Sequence, residues 1–570
     1  MTSNFDLIDV KWRKWICILL FIAALSGATA ARRRRTKNNY FQSYSMHTTR
    51  PAFSSIQHPV PAGILLRITQ NGFDEISSAV RNSLRIALPG LTIRNVGRAD
   101  VLRAHINIEE LKVATFDSFD HFRLMLQQNT GEQIRLSARI GRLALTVTVS
   151  TNRKLIRRVT FTVDASDIEF DIGFSFSASP GGELRVAIVS CDFSIGRVKI
   201  FTERLEGSGL IWQLVRSVLR SNLRRFVNRR LCTVLQNHVP GEVDTHLKHG
   251  GNENLARGDA YNLGLIGSKG NFGKPNRSLM SIFAQKLEKA LRQLYINFGL
   301  VESPSVQNKG STVFINIPLN GEIHAGLKSR TNLARHTMDD IGMNGNKMLY
   351  IGINEFVVNT LLNSLYHIGA LNFTLNSTNA PKLENFLQTD CEVVCLGTLL
   401  PEVADAHPDK TFSLMVAVNK APFVHFSARG IHLNFTAAMS AYVDDVSPKV
   451  YVMRSDIVIE ASVTLRVSNH RLHGTVKVHK FLFKPKDELN FSETVVELIN
   501  EVTGKAIETE LNRIFEAGVP LPTFDLFSMT NGAITHVFKG LWIELNFHFN
   551  NAALAKLIRK ILSHSSSNNR

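Results

Sequence analysis

The sequence lacks the long apolar run that a membrane span requires. Its first apolar stretch, Trp15 to Gly27, has 13 residues, and no later run reaches the roughly 18 needed to cross a bilayer as a helix. Catalytic signatures are missing as well. There is no His-Glu-x-x-His on a helical pattern and no Gly-x-Ser-x-Gly after a strand. The closest approach to a phosphate loop, "GSKGNFGK", has one residue too many between Gly267 and Gly273, and Lys274 precedes proline rather than Ser or Thr. The histidines are scattered, and His246 and His249, in a glycine-rich stretch, make a poor metal site. These absences point away from an enzyme, and no cofactor is implied. Acidic residues are also scarce: none occurs between Glu206 and Glu242, and the chain carries a net charge of +18. Such a balance suits an acidic partner, whether a polyanion, a glycolipid or an anionic membrane surface.

At 570 residues the chain is too long for one ordinary core, so two large domains or a repeated unit are expected. Lys11, Arg13 and Lys14 precede the first apolar run, which ends at Ala28-Thr29-Ala30, the order of a secretory signal peptide. The expectation is a secreted, extracellular protein, for which nucleic acid is not an expected partner. Arg32 to Arg35 follow the expected cut and fit either a polyanion-binding arm or a second processing site. Asn276, Asn372, Asn376, Asn434 and Asn490 each begin a glycosylation acceptor motif, which secretion would make usable.

Pro61 to Leu88 holds two patterns in succession. Ile64, Leu66 and Ile68 alternate as in a strand, whereas Phe73, Ile76, Val80, Leu84 and Leu88 recur at helical spacing, with Asn71-Gly72 read as the turn between them. The same order returns at "KMLYIGINEFVVNTLLNSLYHIG", with a turn expected at Gly352-Ile353-Asn354 and helical spacing through Phe356, Val357, Leu361, Leu365 and Ile368. Each copy is followed by alternating segments that predict antiparallel, strongly curved sheets. Further amphipathic helices are predicted at about 208–239, 279–294 and 492–515. The repetition suggests two copies of one unit. The expected segments are a signal peptide (1–30), a basic arm (31–59) and an N-terminal unit (61–290) with a loop or insertion at 240–275. A central linker (291–330), a C-terminal unit (331–550) and a tail (551–570) complete the chain.

Once Cys17 leaves with the signal peptide, four cysteines remain. Cys191 falls on a predicted strand and Cys232 on a predicted helix, so a bridge between them would pin helix to sheet. Cys391 and Cys395 are four residues apart and fit either a local bridge or two free thiols. They would lie too far apart for a disulfide in an extended strand. "STNRKLIRR" places Arg153, Lys154, Arg157 and Arg158 at a predicted hairpin tip without an acid, and Arg94 and Arg98 in "TIRNVGR" read as a second basic loop. Taken alone, such a run is an ordinary solvated turn. Residues 61–232, however, hold 25 Lys and Arg against 16 Asp and Glu, and a cationic tip on a cationic domain suits phosphate groups.

Several phrases in this order resemble one family. They are "PAGILLRITQNGFDEISSAV", the Cys191 and Cys232 spacing, "INFGLV", "MLYIGINEFVVNT", "LGTLLPEVADAHPDKTFSLMV" and "GVPLPTFDLF". The family is that of bactericidal/permeability-increasing protein, lipopolysaccharide-binding protein and the plasma lipid-transfer proteins. The resemblance implies an α+β fold, an elongated boomerang of two barrel-like domains. Each domain would be a twisted antiparallel sheet wrapped on long helices, and a central sheet would join them. It implies apolar pockets for phospholipid or lipopolysaccharide acyl chains, a role in innate antibacterial defence, and head-group contact through Arg94, Arg98, Arg153, Lys154, Arg157 and Arg158. Two other roles are compatible with the sequence: an extracellular phospholipid carrier, and a protein that binds glycosaminoglycan through the basic arm and tip.

Overall fold

The computed structural model describes residues 60–202, 286–326, 332–486 and 491–564, with short gaps, together with positions 232 and 252–254. The expected signal peptide, the basic arm and nearly all of the predicted 208–239 helix lie outside the described residues. So do Asn276, Asn490 and all but residues 252–254 of the 240–275 segment.

The chain begins with β1 (Ile64–Thr69) and α1 (Gln70–Ala87). Six strands follow: β2 (Thr92–Val101), β3 (Ala104–Phe116), β4 (Phe119–Leu126), β5 (Ile134–Thr151), β6 (Arg158–Ala178) and β7 (Leu184–Thr202). The middle contains β8 (Asn252–Asn254), β9 (Leu294–Asn297), β10 (Ser305–Lys309), β11 (Thr312–Leu319) and β12 (Ile323–Ala325). The second half opens with β13 (Leu349–Asn354) and α2 (Glu355–His367), then β14 (Phe373–Leu375) and the short α3 (Leu396–Leu399) and α4 (Pro401–Ala406). After these come β15 (Phe412–Val418), β16 (Phe423–Ser427), β17 (Gly430–Val443), β18 (Val450–Ser468) and β19 (Arg471–Pro485). The chain closes with α5 (Glu493–Ala517), β20 (Val519–Pro520), β21 (Phe527–Val537), β22 (Gly540–Phe549) and α6 (Asn551–His564).

The class is α+β, as expected. One antiparallel sheet belongs to the first half, in the order β2-β3-β5-β6-β7 with β4 beside β5. Another belongs to the second half, β14-β15-β17-β18-β19-β20 with β16 beside β17. Between them runs a shared sheet, β10-β11-β1-β13-β22-β21. β1 and β13, the opening strands of the two copies, lie side by side and antiparallel, with Leu66 opposite Ile351. On either side stands a hairpin, β10/β11 and β21/β22, so the repeat seen in the sequence becomes an approximate two-fold arrangement.

The handover from strand to helix differs from the expectation of a turn. Thr69 and Asn354 are the N-caps, and each helix begins at the next residue. Thr69 Oγ1 accepts from the Gly72 amide at 3.4 Å, and Asn354 Oδ1 accepts from the Phe356 amide at 2.9 Å. Gly72 therefore lies inside the first helical turn. A Cβ there would stand 2.8 Å from Met348 O, so the glycine serves close packing rather than a hairpin. Phe73, Val80 and Leu84 are buried as the helical spacing predicts.

Neither large sheet closes into a barrel; both are open, twisted sheets. The physical reason lies at their edges, where a free strand would expose unpaired backbone groups. Side chains of the helices satisfy those groups instead. Along β4, Gln70 accepts from the Leu126 amide and donates to Leu124 O, both at 2.9 Å, and Ser77 Oγ accepts from the Leu124 amide. Along β16, Asn359 accepts from the Val424 amide at 2.8 Å and donates to Val424 O at 2.9 Å, while Glu355 accepts from the Phe426 amide at 3.0 Å. Along β19, Asn500, Glu508 and Asn512 of α5 accept from the amides of Phe483, Val478 and Val476. Gly504 allows this approach, since a Cβ there would lie 3.2 Å from that of Phe481.

The core of the first half packs the inner face of its sheet against α1 and, unexpectedly, against α6. Leu554, Ala555 and Ile558 join Phe73, Val80 and Leu84 in one cluster. Arg559 donates to Ala87 O at 2.9 Å and to Ile86 O at 2.7 Å, capping the last carbonyls of α1. Residues 551–564, read above as part of a tail, thus form a helix that seals the opposite half of the molecule.

At the centre of the shared sheet lies a buried cation. The Arg67 guanidinium stacks 4.4 Å from the Trp542 ring and 5.0 Å from Phe314, and it donates to Asp340 Oδ1 at 2.6 Å. Burial works against the Asp340 carboxylate, but hydrogen bonds from Arg67 and Lys309 outweigh it and hold that group below the usual aspartate range. Two outcomes follow. Arg67→Met should destabilise the protein by about 2 kcal/mol or more, read from the denaturant midpoint. Because the folded-state value of Asp340 is depressed, its contribution should be complete above about pH 4 and be lost as pH falls further, and Asp340→Asn should flatten that part of the profile. At the β16 edge, Asn359→Leu should cost about 2 kcal/mol, since it strands both backbone groups of Val424, and equilibrium unfolding would detect it.

Candidate functional site

The candidate site is built on the sheet of the first half. Below the turn, β5 alternates cleanly: Ile134, Leu136, Ala138 and Ile140 are buried, whereas Arg135 and Arg139 are exposed. The buried series joins Phe170, Ile172 and Phe174 of β6 in an apolar layer facing the helices. Farther along, Leu143, Leu145 and Val198 continue that layer but are only partly covered.

The opposite face carries matched charges. Arg135 donates to Asp171 at 2.7 Å, and Arg139 lies between Asp120, Asp167 and Glu169 at 3.4–3.8 Å. Arg142 binds both oxygens of Asp164, with its Nη2 at 2.8 Å. The hydrogen bonds and charges of Asp171 and Asp164 hold the Arg135 and Arg142 guanidinium groups more firmly protonated than usual. Beyond Asp164 this neutralisation stops. Leu143–Thr151 of β5 and Arg158–Val163 of β6 contain no carboxylate.

Of the cations named from sequence, one falls in this acid-free stretch of β5 and β6. Arg158 opens β6. Arg94 and Arg98 lie in β2, a strand with an irregular register between Arg94 and Gly97, and not in a loop as expected. Register connects Arg98 to Arg158. Arg98 stands opposite Asn107, Asn107 opposite Ser150, and Ser150 opposite Arg158, so one row crosses β2, β3, β5 and β6. At roughly 4.8 Å per strand, the backbones of Arg98 and Arg158 are about 14 Å apart. Arg94 belongs to a different row, opposite Glu110. Arg153, Lys154 and Arg157 lie outside the described residues.

Both cysteine pairs are bridged. Cys191 of β7 pairs with Cys232, 41 residues on, with Cα atoms 5.7 Å apart. Cys391 pairs with Cys395 at a Cα distance of 6.1 Å, which settles the local-bridge alternative. The backbone turns there because Cys395 precedes α3, and Thr398 Oγ1 accepts from the Cys395 amide at 2.8 Å. That turn places Leu396 and Leu400, with Leu387, over Phe412 and Met453 in the core of the second half. Among the acceptor asparagines, Asn434 is exposed on β17, while Asn372 Oδ1 accepts from the Val418 amide at 2.9 Å. The polar residues that close the sheet edges, such as Gln70 and Asn359, were not singled out from sequence. Their only signal was a polar residue on an otherwise buried helix face.

The model of the LBP / BPI / CETP family, C-terminal domain, matches residues 289–549. The second half of the chain is therefore similar to the C-terminal domain of that family. Human lipopolysaccharide-binding protein is 21% identical over 475 residues, covering 81% of this chain and 88% of that protein. Bactericidal permeability-increasing protein of Sebastes schlegelii is 22% identical over 379 residues, covering 65% and 70%. A crystal structure of lipopolysaccharide binding protein aligns with 86% of this chain and 100% of its own, at 15% identity and a TM-score of 0.41. Among the described residues, no helix is long and apolar enough to cross a membrane, and no group of three or more His, Cys, Asp or Glu could hold a metal ion.

Removing the Cys191–Cys232 bridge by paired serine substitution should cost about 3–4 kcal/mol, the loop-closure expectation for this separation. Denaturant unfolding would measure it, and non-reducing peptide mapping should recover both bridges.

Proposed function

We propose that the chain is a secreted, non-catalytic lipid-binding protein of antibacterial defence. The end of the N-terminal sheet where β5 and β6 carry no carboxylate meets anionic head groups, lipopolysaccharide above all, and acyl chains enter the apolar layer between sheet and helices. The observation that carries this reading is the register row. It brings Arg98 level with Arg158, which ends the basic sequence run of Arg153, Lys154 and Arg157, while every carboxylate on β5 and β6 lies farther down. A concentration of cations at one end of a sheet favours phosphate, with contacts that weaken as salt rises. The named relatives support the ligand class, since one is a lipopolysaccharide-binding protein and another a bactericidal permeability-increasing protein.

Affinity for the tail comes from the apolar layer. Each methylene withdrawn from water contributes about 0.8 kcal/mol, so a single long chain supplies most of the binding energy and the cations supply orientation. The partly covered Leu143, Leu145 and Val198 lie between the deep core and the cationic end, where a chain anchored by its head group would begin to enter. The signal-peptide pattern and the exposed acceptor at Asn434 accord with a glycosylated extracellular protein.

Charge reversal at Arg153, Lys154, Arg157 and Arg158 tests the arrangement. Lipopolysaccharide affinity should fall at least about tenfold in a titration at fixed salt, while uptake of neutral phospholipid from vesicles stays unchanged. Equal lipopolysaccharide binding by a folded variant would remove the cationic end from the mechanism. Absence of any lipid in native mass spectra of the secreted protein, together with no uptake from vesicles, would remove the apolar site.

A further inference from the structure

The outer face of the C-terminal sheet is charged quite differently from its N-terminal counterpart. On β5 the exposed Arg135, Arg139 and Arg142 all have carboxylate partners. On β18 and β19 such matching is lost: from Val450 to Lys486 the chain holds seven Lys and Arg but only two acids, Asp456 and Glu460.

Register fixes which side these charges occupy. Phe481 and Phe483 are buried in the core of the second half, so the neighbouring Lys480 and Lys484, opposite Glu460 and Asp456, stand on the outer face. A bulge between Glu460 and Ala461 accommodates His479, whose Nε2 lies 2.8 Å from Ser462 Oγ. Lys477 is opposite that same Ser462 and therefore shares the face. Lys477, Lys480 and Lys484 are all exposed. The two acids are already engaged, Glu460 by Lys480 at 3.7 Å and Asp456 by Lys486 at 2.7 Å. Neither Lys477 nor Lys484 lies within ion-pair distance of a carboxylate among the described residues, although Lys477 is near enough to Glu508 of α5 to help lower that carboxyl, which Lys505 already binds at 2.8 Å.

The result is a line rather than a cluster. At roughly 3.3 Å per residue, Lys477 to Lys484 spans about 20 Å of one strand. Insertion into a lipid surface would need exposed apolar or aromatic side chains beside the row, and β19 presents none: both phenylalanines point inward and Leu482 is half-buried, while the exposed Val450 and Tyr451 of β18 lie past its end, beyond the Ser455–Pro485 pair. An extended row of ammonium groups without apolar anchors fits a linear polyanion lying along the strand.

We propose that the outer face of β18 and β19 binds a linear sulfated polysaccharide of the cell surface, its sulfates aligned along Lys477, Lys480 and Lys484. Only the secretion part of the preceding reading is required. This surface is separate from the cationic end of the N-terminal sheet, and it would hold the protein near cells while that end remains available for lipid.

The test uses the full secreted chain, immobilised heparin as the probe, and two variants. One is Lys477→Gln, Lys480→Gln, Lys484→Gln; the other is the charge reversal at the N-terminal tip. Wild-type binding should weaken steadily with rising salt, and the β19 variant should lose at least about tenfold in heparin affinity, with its thermal midpoint and lipopolysaccharide binding unchanged. Undiminished heparin binding by that variant, or a loss confined to the tip variant, would overturn the proposal. Binding of phosphatidylglycerol vesicles that is as strong as heparin binding, and lost in the same β19 variant, would also overturn it by assigning the face to membranes.

Discussion

The antiparallel pairing of β1 with β13 is the constraint on which the remainder of the fold depends. Each strand runs directly into a helix, so fixing the pair fixes where both helices start and which way they leave. The pair is locked by a cation held in a dry place. Arg67 projects from β1 between Trp542 of β22 and Phe314 of β11, and Asp340 meets its charge from the irregular segment that crosses this face. A guanidinium so placed tolerates little displacement, because moving it would leave it with neither ring nor carboxylate.

From that junction the two halves are built by one device used three times. An open sheet ends in a strand with unpaired backbone groups, and a helix supplies amide, hydroxyl or carboxylate side chains to meet them. Gln70 and Glu355 occupy the same place, the first residue of their helices, and each binds the edge strand of its own half. Glu508 does similar service on α5, where Lys505 and then the Val478 amide hold its carboxyl below the usual range. Because helices complete the edges, neither sheet has to close on itself. The core between sheet and helices is built mainly of apolar side chains.

Charge is distributed along the same architecture. Ion pairs on the outside of β5 and β6 run up to Asp164 and then stop, since neither strand carries a carboxylate beyond it. On the C-terminal sheet an excess of cations runs along an edge strand instead.

Much of this was legible in the chain itself. Alternation and helical spacing are local properties, so the two strand-to-helix units, α5, the antiparallel sheets and the repeat could be read directly, and the order of several phrases indicated the family. The cysteine count allowed both bridges, but only the turn before α3 brought Cys391 and Cys395 within reach. Other features had no local signal. That α6 would return to cap α1, that Arg98 would stand level with Arg158, and that Asn71-Gly72 would lie within a helix all depend on partners far away in sequence. The sequence by itself determined which residues alternate and which charges exist. Tertiary structure decided which of them become neighbours, because strand register and helix docking are settled by contacts between distant segments.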